Sequence, residues 1–430
     1  MAEKLTLDLV RKAVSGRAAG FRARCELQPA GGRGTKVFPP TYAGAVYATE
    51  KRRLPGRDEP VECVLLDSVQ SQANRMEEAL QQAVDDGRVT LPVIEADFTP
   101  YFGEAKAASP AEQLEEIDLL DPVGKVSSLQ APHRIADAIF RDSLLEGQPF
   151  RKSEVGRKID RASLRNATPL FELCPTALLF GMWDSTGPKG GLGAKFERAM
   201  VGEIVGIDAI KGTKTSSRVD PLGIQLKAGP IYEAKDGGWT LDPEQARQLK
   251  GKPIVKGKDG RPSEANHGNV TPSLSDRDRD GEYLAGGVTI THAEQTLVIS
   301  LPALRRLRFP VGGQHDAERD IAARTVLVSL GLLAAALADE AGLDLRSRCL
   351  LYPEQDLEWE VLDRNEPVRV ALNAEEAIEL FKQAVGAAKE AGLSWRDAPL
   401  VLTPSEQLVK LVAKSQHLAA EQGGDAEGDA

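Results

Sequence analysis

The residues best suited to chemistry lie in a glycine-rich stretch, GPKGGLGAK at residues 187–195. Backbone N–H groups of such a loop can surround a phosphate, and a lysine can neutralise its charge. A nucleotide-hydrolysing loop needs G-x-x-x-x-G-K followed by Ser or Thr, but here Gly193 is followed by Ala194, Lys195 and Phe196. The dinucleotide-binding fingerprint also fails, because its third glycine is missing. The stretch is therefore either a basic loop that could hold a nucleic-acid backbone or a β-turn that needs positive φ angles.

Other patterns resemble catalytic or metal sites and fail on spacing. The segment DRDRDGEY at 276–283 begins like a calcium loop, but the position for its bidentate glutamate is Gly287. The five histidines have no metal-binding spacing, although His133 beside Arg134 could contact a phosphate or a base. The four cysteines lie far apart without a C-x-x-C pair, which excludes a zinc ribbon and a disulfide scaffold. The sequence therefore predicts no catalytic set, no metal and no cofactor.

A predicted helix carries polar groups of a different kind. In DSVQSQANRMEEAL at 67–80, Asp67 resembles a helix N-cap with Gln70 as its capping-box partner, and apolar residues follow at helical spacing. Asn74 and Arg75 flank the apolar stripe and could hold ribose and phosphate oxygens without reading sequence. An ordinary exposed helix face is the alternative interpretation.

The elements that would position these groups indicate an α+β fold. We predict strands at 18–28, 61–66, 176–183 and 198–209, with closing strands at 348–353 and 357–362, and helices at 67–84, 134–145, 318–340, 373–391 and 404–418. Stripped of insertions, the order strand, helix, strand, strand, helix, strand predicts a ferredoxin-like or RRM-like βαββαβ core followed by C-terminal helices. We expect one domain over residues 1–420 with insertions at about 88–170 and 211–310, and a disordered acidic tail at 421–430.

Charge is distributed unevenly along the chain. A net charge of −10 over 430 residues argues against a protein that coats nucleic acid with its whole surface. Residues 11–57 nevertheless hold 11 Lys or Arg against two Asp or Glu, and residues 151–230 hold 13 against eight. Residues 58–124 hold three against 16. Two basic segments in an acidic chain indicate a polyanion-binding track, if the fold brings them together.

The sequence predicts a cytoplasmic, soluble protein that has no membrane partner. The N-terminal MAEKLTLDLVRKAV is charged and lacks the apolar core of a signal peptide. The longest apolar stretch, at 325–338, is shorter than the roughly 20 residues that are needed to cross a bilayer.

Five segments together resemble one known family. They are LQPAGGRGTKVFPPTYAG (27–44), DSVQSQANRMEEAL (67–80), GMWDSTGPKGGLGAKFERAMVGEIVGIDA (181–209), KGTKTSSRVDPLGI (211–224) and LRSRC (345–349). In these segments the chain resembles the RAMP-superfamily backbone subunit of type I-G (formerly I-U) CRISPR Cascade. The resemblance covers most of residues 15–361.

This resemblance implies a non-enzymatic role on CRISPR RNA. Family members have an RRM-like palm with an inserted thumb hairpin, and several copies stack along the spacer portion of the guide. They hold its backbone, so that the bases can pair with target DNA. The expected partners are therefore CRISPR RNA, the target DNA strand through the RNA–DNA heteroduplex, further copies of the chain and other Cascade subunits. An aromatic content of 5% suits a backbone binder better than a stacking-based one.

Carried onto this sequence, the motifs imply a set of RNA-binding candidates. These are Arg22, Arg24, Lys36, Asn74, Arg75, His133, Arg134, Lys189, Lys195, Arg198, Lys211, Lys214 and Arg218. The last three lie where the thumb is expected to start. Two alternatives stay open: a metal-independent ribonuclease of the same superfamily that processes the guide precursor, with His133 or a neighbouring tyrosine as general acid or base, and a phosphate-binding enzyme built on 187–198.

Overall fold

A ten-stranded sheet forms the centre of the fold in a computed structural model that describes residues 3–44, 46–103, 119–185, 193–274, 285–364 and 366–422. Its longer strands are β1 (Gly20–Pro29), β2 (Thr49–Arg52), β3 (Val61–Asp67), β4 (Met200–Ile207), β5 (His292–Ser300), β6 (Leu350–Pro353), β7 (Glu358–Leu362) and β8 (Val368–Ala371). The short strands Glu3–Lys4 and Leu343–Asp344 complete it. The spatial order is Glu3–Lys4, β8, β7, β1, β5, β4, β3, β2, and β6 joins the end of β1.

The pairing in the middle of the sheet is antiparallel throughout. Strand β1 runs against β5 from Gly20 opposite Ser300 to Leu27 opposite Ala293. Strand β5 pairs in turn with β4, and β4 pairs with β3. The register between β4 and β3 shifts after Ile204 of β4. In a ferredoxin-like sheet, the two parallel strands of each split βαβ unit are separated by an antiparallel strand. The antiparallel pairing of β1 with β5 and of β5 with β4 agrees with that arrangement.

Five long helices accompany the two main sheets. They are α1 (Leu7–Ser15), α2 (Val69–Asp85), α3 (Ala317–Ala341), α4 (Ala374–Glu390) and α5 (Glu406–Gln422). Helices α2 and α3 cover one face of the central sheet, where Phe21, Leu27 and Leu297 are buried. The alternate residues of β1, including Arg22 and Arg24, point to the other face, as the two-residue period of a strand requires.

Helix α3 is the centre of the core. It packs against α1, α2 and α4 as well as the sheet, which explains why apolar residues occur on all its sides. By length and composition, this helix of 25 residues could cross a membrane. Its most apolar stretch of 18 residues has a mean hydropathy of 2.0, but 89% of that stretch is buried within the protein. The apolarity of α3 therefore matches its position as a core helix.

Two further units extend from the central sheet. A five-stranded sheet has the order Gln148–Pro149, Ser143–Leu145, Leu400–Pro404, Ile94–Asp97, Lys125–Ser127, so the expected first insertion folds together with the C-terminal region. Residues 208–291, here called the arm, leave the sheet between β4 and β5. The ladders Ile210–Thr213 with Ala285–Thr289 and Thr215–Arg218 with Val270–Leu274 form its base.

The α+β class predicted from the sequence is confirmed, and so are most of the long elements. The order strand, helix, strand, strand, helix, strand is found in β3, α2, β4, β5, α3 and β6–β7, with β1 as an additional strand. The prediction of a strand at 176–183 is wrong. This stretch forms a buried turn of helix at Thr176–Leu179 and a two-residue strand at Met182–Trp183, because apolarity alone does not distinguish a buried helical turn from a buried strand.

Strand β5 is the second of the two consecutive strands in the middle of that order, whereas the sequence predicts that its residues belong to an insertion at 211–310. Because β5 lies between β1 and β4, the inserted arm ends before His292. The prediction of one helix at 134–145 is also wrong, since a 3-10 turn at Arg134–Ala136, a helix at Ala138–Arg141 and a strand at Ser143–Leu145 occupy it.

The N-cap of α2 is Ser68, whose hydroxyl accepts from the Ser71 N–H, and not Asp67. Asp67 is instead the last residue of β3. The aspartate-rich segment 276–283 and most of the expected acidic tail, residues 423–430, lie outside the described residues.

Candidate nucleic-acid interface

Four of the five family-like segments meet at the base of the arm. They are 27–44, 67–80, 211–224 and 345–349. The Arg75 guanidinium donates to the Leu345 carbonyl at 2.5 Å, which joins the second segment to the fourth. The Lys36 ammonium lies 3.5 Å from the Thr213 carbonyl, which joins the first to the third. These contacts bring together segments that are up to 270 residues apart in the sequence.

The convergence gathers six basic side chains, here called the junction site. They are Lys36, Arg75, Lys211, Lys214, Arg346 and Arg348. Lys211, Lys214 and Arg348 are exposed, and the other three are half-buried. An open groove of about 470 Å³ lies beside Lys36 and Arg348, between the loop after β1 and the start of β6. Cations around an open groove suit an extended polyanion better than an enclosed small molecule.

Two of the six cations are fixed by the fully buried carboxylate of Asp67. Its Oδ2 accepts from Arg75 Nε at 3.0 Å and from Gln72 Nε2 at 2.7 Å, and its Oδ1 lies 3.4 Å from Arg346 Nη2. A buried carboxylate needs such partners, because desolvation without them is costly. The two guanidiniums keep 28% and 26% of their side-chain surface exposed. Asp67 therefore orients both arginines and leaves part of each available to a ligand.

The turn that carries Arg348 has a backbone conformation that non-glycine residues seldom adopt. Its φ is 61°, in the left-handed region, and the turn is closed by the Cys349 N–H donating to the Arg346 carbonyl at 2.8 Å. The Arg348 guanidinium lies 4.0 Å from the centre of the Phe38 ring, which fixes it by a cation–π contact. Backbone strain of this kind persists where the surroundings impose it, often at binding sites.

A second group of candidates lies at the hairpin formed by Met182–Trp183 and Lys195–Phe196. Lys195 and Arg198 are exposed there, and the Lys195 ammonium lies 5.5 Å from the centre of the Trp183 ring. The candidate Lys189 lies outside the described residues. His133 is exposed and directly precedes the turn Arg134–Ala136, which contacts this hairpin, and its backbone N–H donates to Asp137 Oδ2 at 3.1 Å.

Arg134, which the sequence offered as an RNA-binding candidate, is buried and fully paired within the protein. Its Nε and Nη2 donate to the two carboxylate oxygens of Glu77, both at 2.6 Å, and its Nη1 donates to the Gly181 carbonyl at 3.0 Å. Burial raises the pKa of Glu77 to about 7, and the charges of Arg134 and Arg198 oppose that rise. The pair connects α2 to the hairpin and has a structural role.

Arg22 and Arg24 are paired with carboxylates away from the junction site. Both lie on the outer face of the central sheet, where Arg22 donates twice to Glu360 Oε2, at 2.9 and 2.6 Å, and Arg24 pairs with Glu294. Further acids, including Glu358, line the same cleft of about 730 Å³. The strands β1, β5 and β7 place no Phe, Tyr or Trp ring on this face, whereas RNA-recognition domains stack bases on such rings of their sheet.

The remaining candidates differ in their availability. Arg218 is half-buried and cross-links the arm through two hydrogen bonds, of 3.0 and 2.9 Å, to the Gly268 carbonyl. Asn74 is exposed on α2, next to the junction site. Arg346 and Arg348 were not among the candidates predicted from the sequence, although both belong to the LRSRC segment at 345–349. Two arginines in one short loop were the signal that could have identified them.

The part of the chain that the structure describes contains no group of three or more His, Cys, Asp or Glu that could hold a metal ion. All four cysteines are free and buried. Burial is the largest cause of their raised pKa values, and it raises the pKa of Cys25 to about 11. Thiols with such pKa values are poor nucleophiles at neutral pH.

Residues 21–211 match the family model described as CRISPR-associated protein GSU0053. Over this span the chain is similar to a CRISPR-associated protein family. The matched span contains β1, the loop after it, α2, the hairpin and β4, and so includes Lys36, Arg75 and Lys211 of the junction site. It is consistent with a RAMP-type Cascade subunit. A comparison of the chain with curated proteins finds no match.

Proposed function

We propose that the protein is the CRISPR-RNA-binding backbone subunit of a type I-G Cascade complex, and that it acts in the cytoplasm without catalytic activity of its own. One observation carries the proposal: four segments that are distant in the sequence converge on six cations at the base of the arm. The match to a CRISPR-associated family supplies the biological context.

The chemistry of the junction site favours the RNA backbone over the bases as the ligand. Lys and Arg side chains contact phosphates whatever the sequence, and this leaves the base edges free to pair with a target strand. Several copies along one guide would each hold a short stretch in this way. The acidic outer face of the central sheet would limit the binding of RNA elsewhere on the protein.

The proposal is tested by removing charge from the junction site. We expect the triple variant Lys36→Gln, Lys211→Gln, Lys214→Gln to bind fluorescein-labelled single-stranded RNA more weakly than the unaltered chain. For single strands, each phosphate contact contributes roughly −0.7 to the slope of log K against log salt concentration, so the slope should become less negative by about 2. Fluorescence anisotropy over a salt series measures both quantities.

A matched control removes the same number of charges elsewhere. Lys12, Lys382 and Lys414 are exposed on α1, α4 and α5, and their triple replacement by Gln should leave both the affinity and the slope almost unchanged. An equal loss of affinity in the two triple variants would refute the junction site as the RNA-binding surface.

A further inference from the structure

The side chain of Trp183 is unusually exposed for a tryptophan. Its exposed fraction is 55%, whereas Trp359 and Trp395 are buried in the core at 1% and 7%. Trp239, in the arm, is exposed at 42% and packs edge-to-face against His267. A large aromatic ring left in water loses the free energy that burial would provide, so its exposure on a rigid element points to a ligand.

The hairpin holds Trp183 in a fixed position. On one side, Gly181 has a φ of 87°, and its carbonyl accepts from the buried Arg134. A Cβ at Gly181 would come within 3.0 Å of Arg198 Cγ, so no other residue fits there without movement. On the other side, the buried Asp184 pairs with Arg151, and its N–H donates to the Ala194 carbonyl at 3.0 Å. The exposed indole is thus anchored at both flanks.

Positive charge accompanies the exposed ring. Lys195 is paired with Trp183 across the hairpin and places its ammonium 5.5 Å from the ring centre. Arg198, three residues further, is also exposed. An aromatic platform beside cations is the arrangement with which proteins bind single-stranded nucleic acid, because the base stacks and the cations contact its phosphates.

Helix α2 links this platform to the junction site. Arg75 belongs to the junction site, and Glu77 holds the Arg134 that supports the hairpin. Ser68, the N-cap that directly follows Asp67, and Glu77 are separated along the helix by about 14 Å at 1.5 Å per residue. The exposed Asn74 lies between them. One RNA strand could therefore contact both places.

We propose that Trp183 stacks on a base of the bound single-stranded RNA, with Lys195 and Arg198 at the neighbouring phosphates. This inference rests on the proposed function, since it takes RNA as the ligand. It adds a stacking contact to a site that otherwise reads only charge. Because every base has a π face, the contact would be independent of sequence.

The first experiment uses tryptophan fluorescence in the full-length chain. Trp239→Phe removes the other highly exposed tryptophan, and this variant should still lose fluorescence on addition of oligouridylate, because a stacked base quenches the indole. Adding Trp183→Phe to this background should abolish that quenching. Quenching of equal size in both variants would overturn the proposal.

The second experiment separates stacking from charge and from simple packing. Trp183→Leu should weaken the binding of oligouridylate by about tenfold, within the range known for loss of one stacked base, and Trp183→Phe should weaken it less. Neither change removes a charge, so the salt slope should stay the same, unlike in the junction-site triple variant. Trp239→Leu is the matched control and should bind like the unaltered chain.

The outcomes distinguish the two proposals. If RNA binding depends on the junction site but Trp183→Leu binds as tightly as Trp183→Phe, the stacking contact is refuted and the proposed function stands. If the unaltered chain does not bind single-stranded RNA at all, both proposals fail. A change in the circular dichroism spectrum of Trp183→Leu would show that its weaker binding comes from altered folding. The fluorescence experiment, which uses the milder Trp183→Phe, then decides whether Trp183 is the quenched residue.

Discussion

The bidentate pair of Glu77 and Arg134 joins α2 to the hairpin, and it makes the stability of the protein depend on pH. Burial raises the pKa of Glu77 from 4.5 to about 7. Between these pH values the folded state retains a proton that the unfolded state releases. The stabilising contribution of this group is therefore present below about pH 4.5 and is lost as the pH rises through about 7.

Replacement of the carboxyl group should remove this dependence. In the unaltered chain, Glu77 should make the free energy of unfolding fall by at most about 1.4 kcal/mol per pH unit between pH 5 and pH 7.5. We expect Glu77→Gln to remove this contribution. Urea denaturation at several pH values gives the comparison. Glu78→Gln is the matched control, since Glu78 is the exposed neighbour on α2, and it should keep the slope of the unaltered chain. A slope in Glu77→Gln that equals that of the control would contradict the raised pKa.

The motifs of the family resemblance, together with segment charge, were enough to find part of the junction site. Lys36, Arg75, Lys211 and Lys214 were candidates from the sequence, and the fold brings them together. Arg22 carried the same signal, but its partner Glu360 is 338 residues away and faces it only through the register of β1 and β7. Whether a basic side chain is free or paired depends on such long-range register, which a local pattern does not contain.

Among the elements, α3 lies unusually close to the sheet because of a glycine. A Cβ on Gly331 would lie 2.9 Å from Ile299 Cδ1 and 3.0 Å from Met200 Sδ, on β5 and β4. The absence of a side chain lets the helix and the sheet approach each other. A methyl group there should act as overpacking, which costs about 1–3 kcal/mol in well-packed cores.

A pair of Gly→Ala variants tests this close approach. Gly331→Ala should lower the free energy of unfolding by about 1 kcal/mol, because strain exceeds the gain in helix propensity. Gly386, in the interior of α4, has no atom within 4 Å of its added Cβ, so Gly386→Ala should raise stability by about 1 kcal/mol. Chemical denaturation measures both. Stabilisation of similar size in the two variants would show that no close approach exists at Gly331.

The elements also show where sequence patterns lose information. Amphipathic α2 and the apolar α3 were found with nearly correct ends, because long helices have a strong periodic or apolar signal. The stretch 176–183 is too short and too uniformly apolar to distinguish a helical turn from a strand. Strand β5 alternates clearly between buried and half-buried residues. The sequence nevertheless places it in an insertion, since its central place in the sheet depends on pairing with β1, where Ala293 lies opposite the distant Leu27.

For the whole molecule, the distribution of charge matters more than its sum. Both basic segments, 11–57 and 151–230, contribute to the junction site, as their charge suggested. Much of their charge is nevertheless neutralised, for example by the pairs Arg52–Glu203, Arg57–Asp208 and Arg151–Asp160. The charge available to RNA is therefore local and modest. If all six junction cations contact phosphates, one copy should show a salt slope of about −4.

Such a protein should bind guide precursor RNA without cutting it. Incubation of the purified chain with a precursor that contains CRISPR repeats should give slower-migrating complexes and no discrete product, as the proposed non-enzymatic role on the RNA backbone requires. His133→Ala should therefore leave the electrophoretic pattern unchanged. A defined cleavage product that disappears with His133→Ala would instead make the protein a processing ribonuclease. Complexes that grow stepwise with RNA length would favour several copies on one guide, since each copy would occupy its own stretch of backbone.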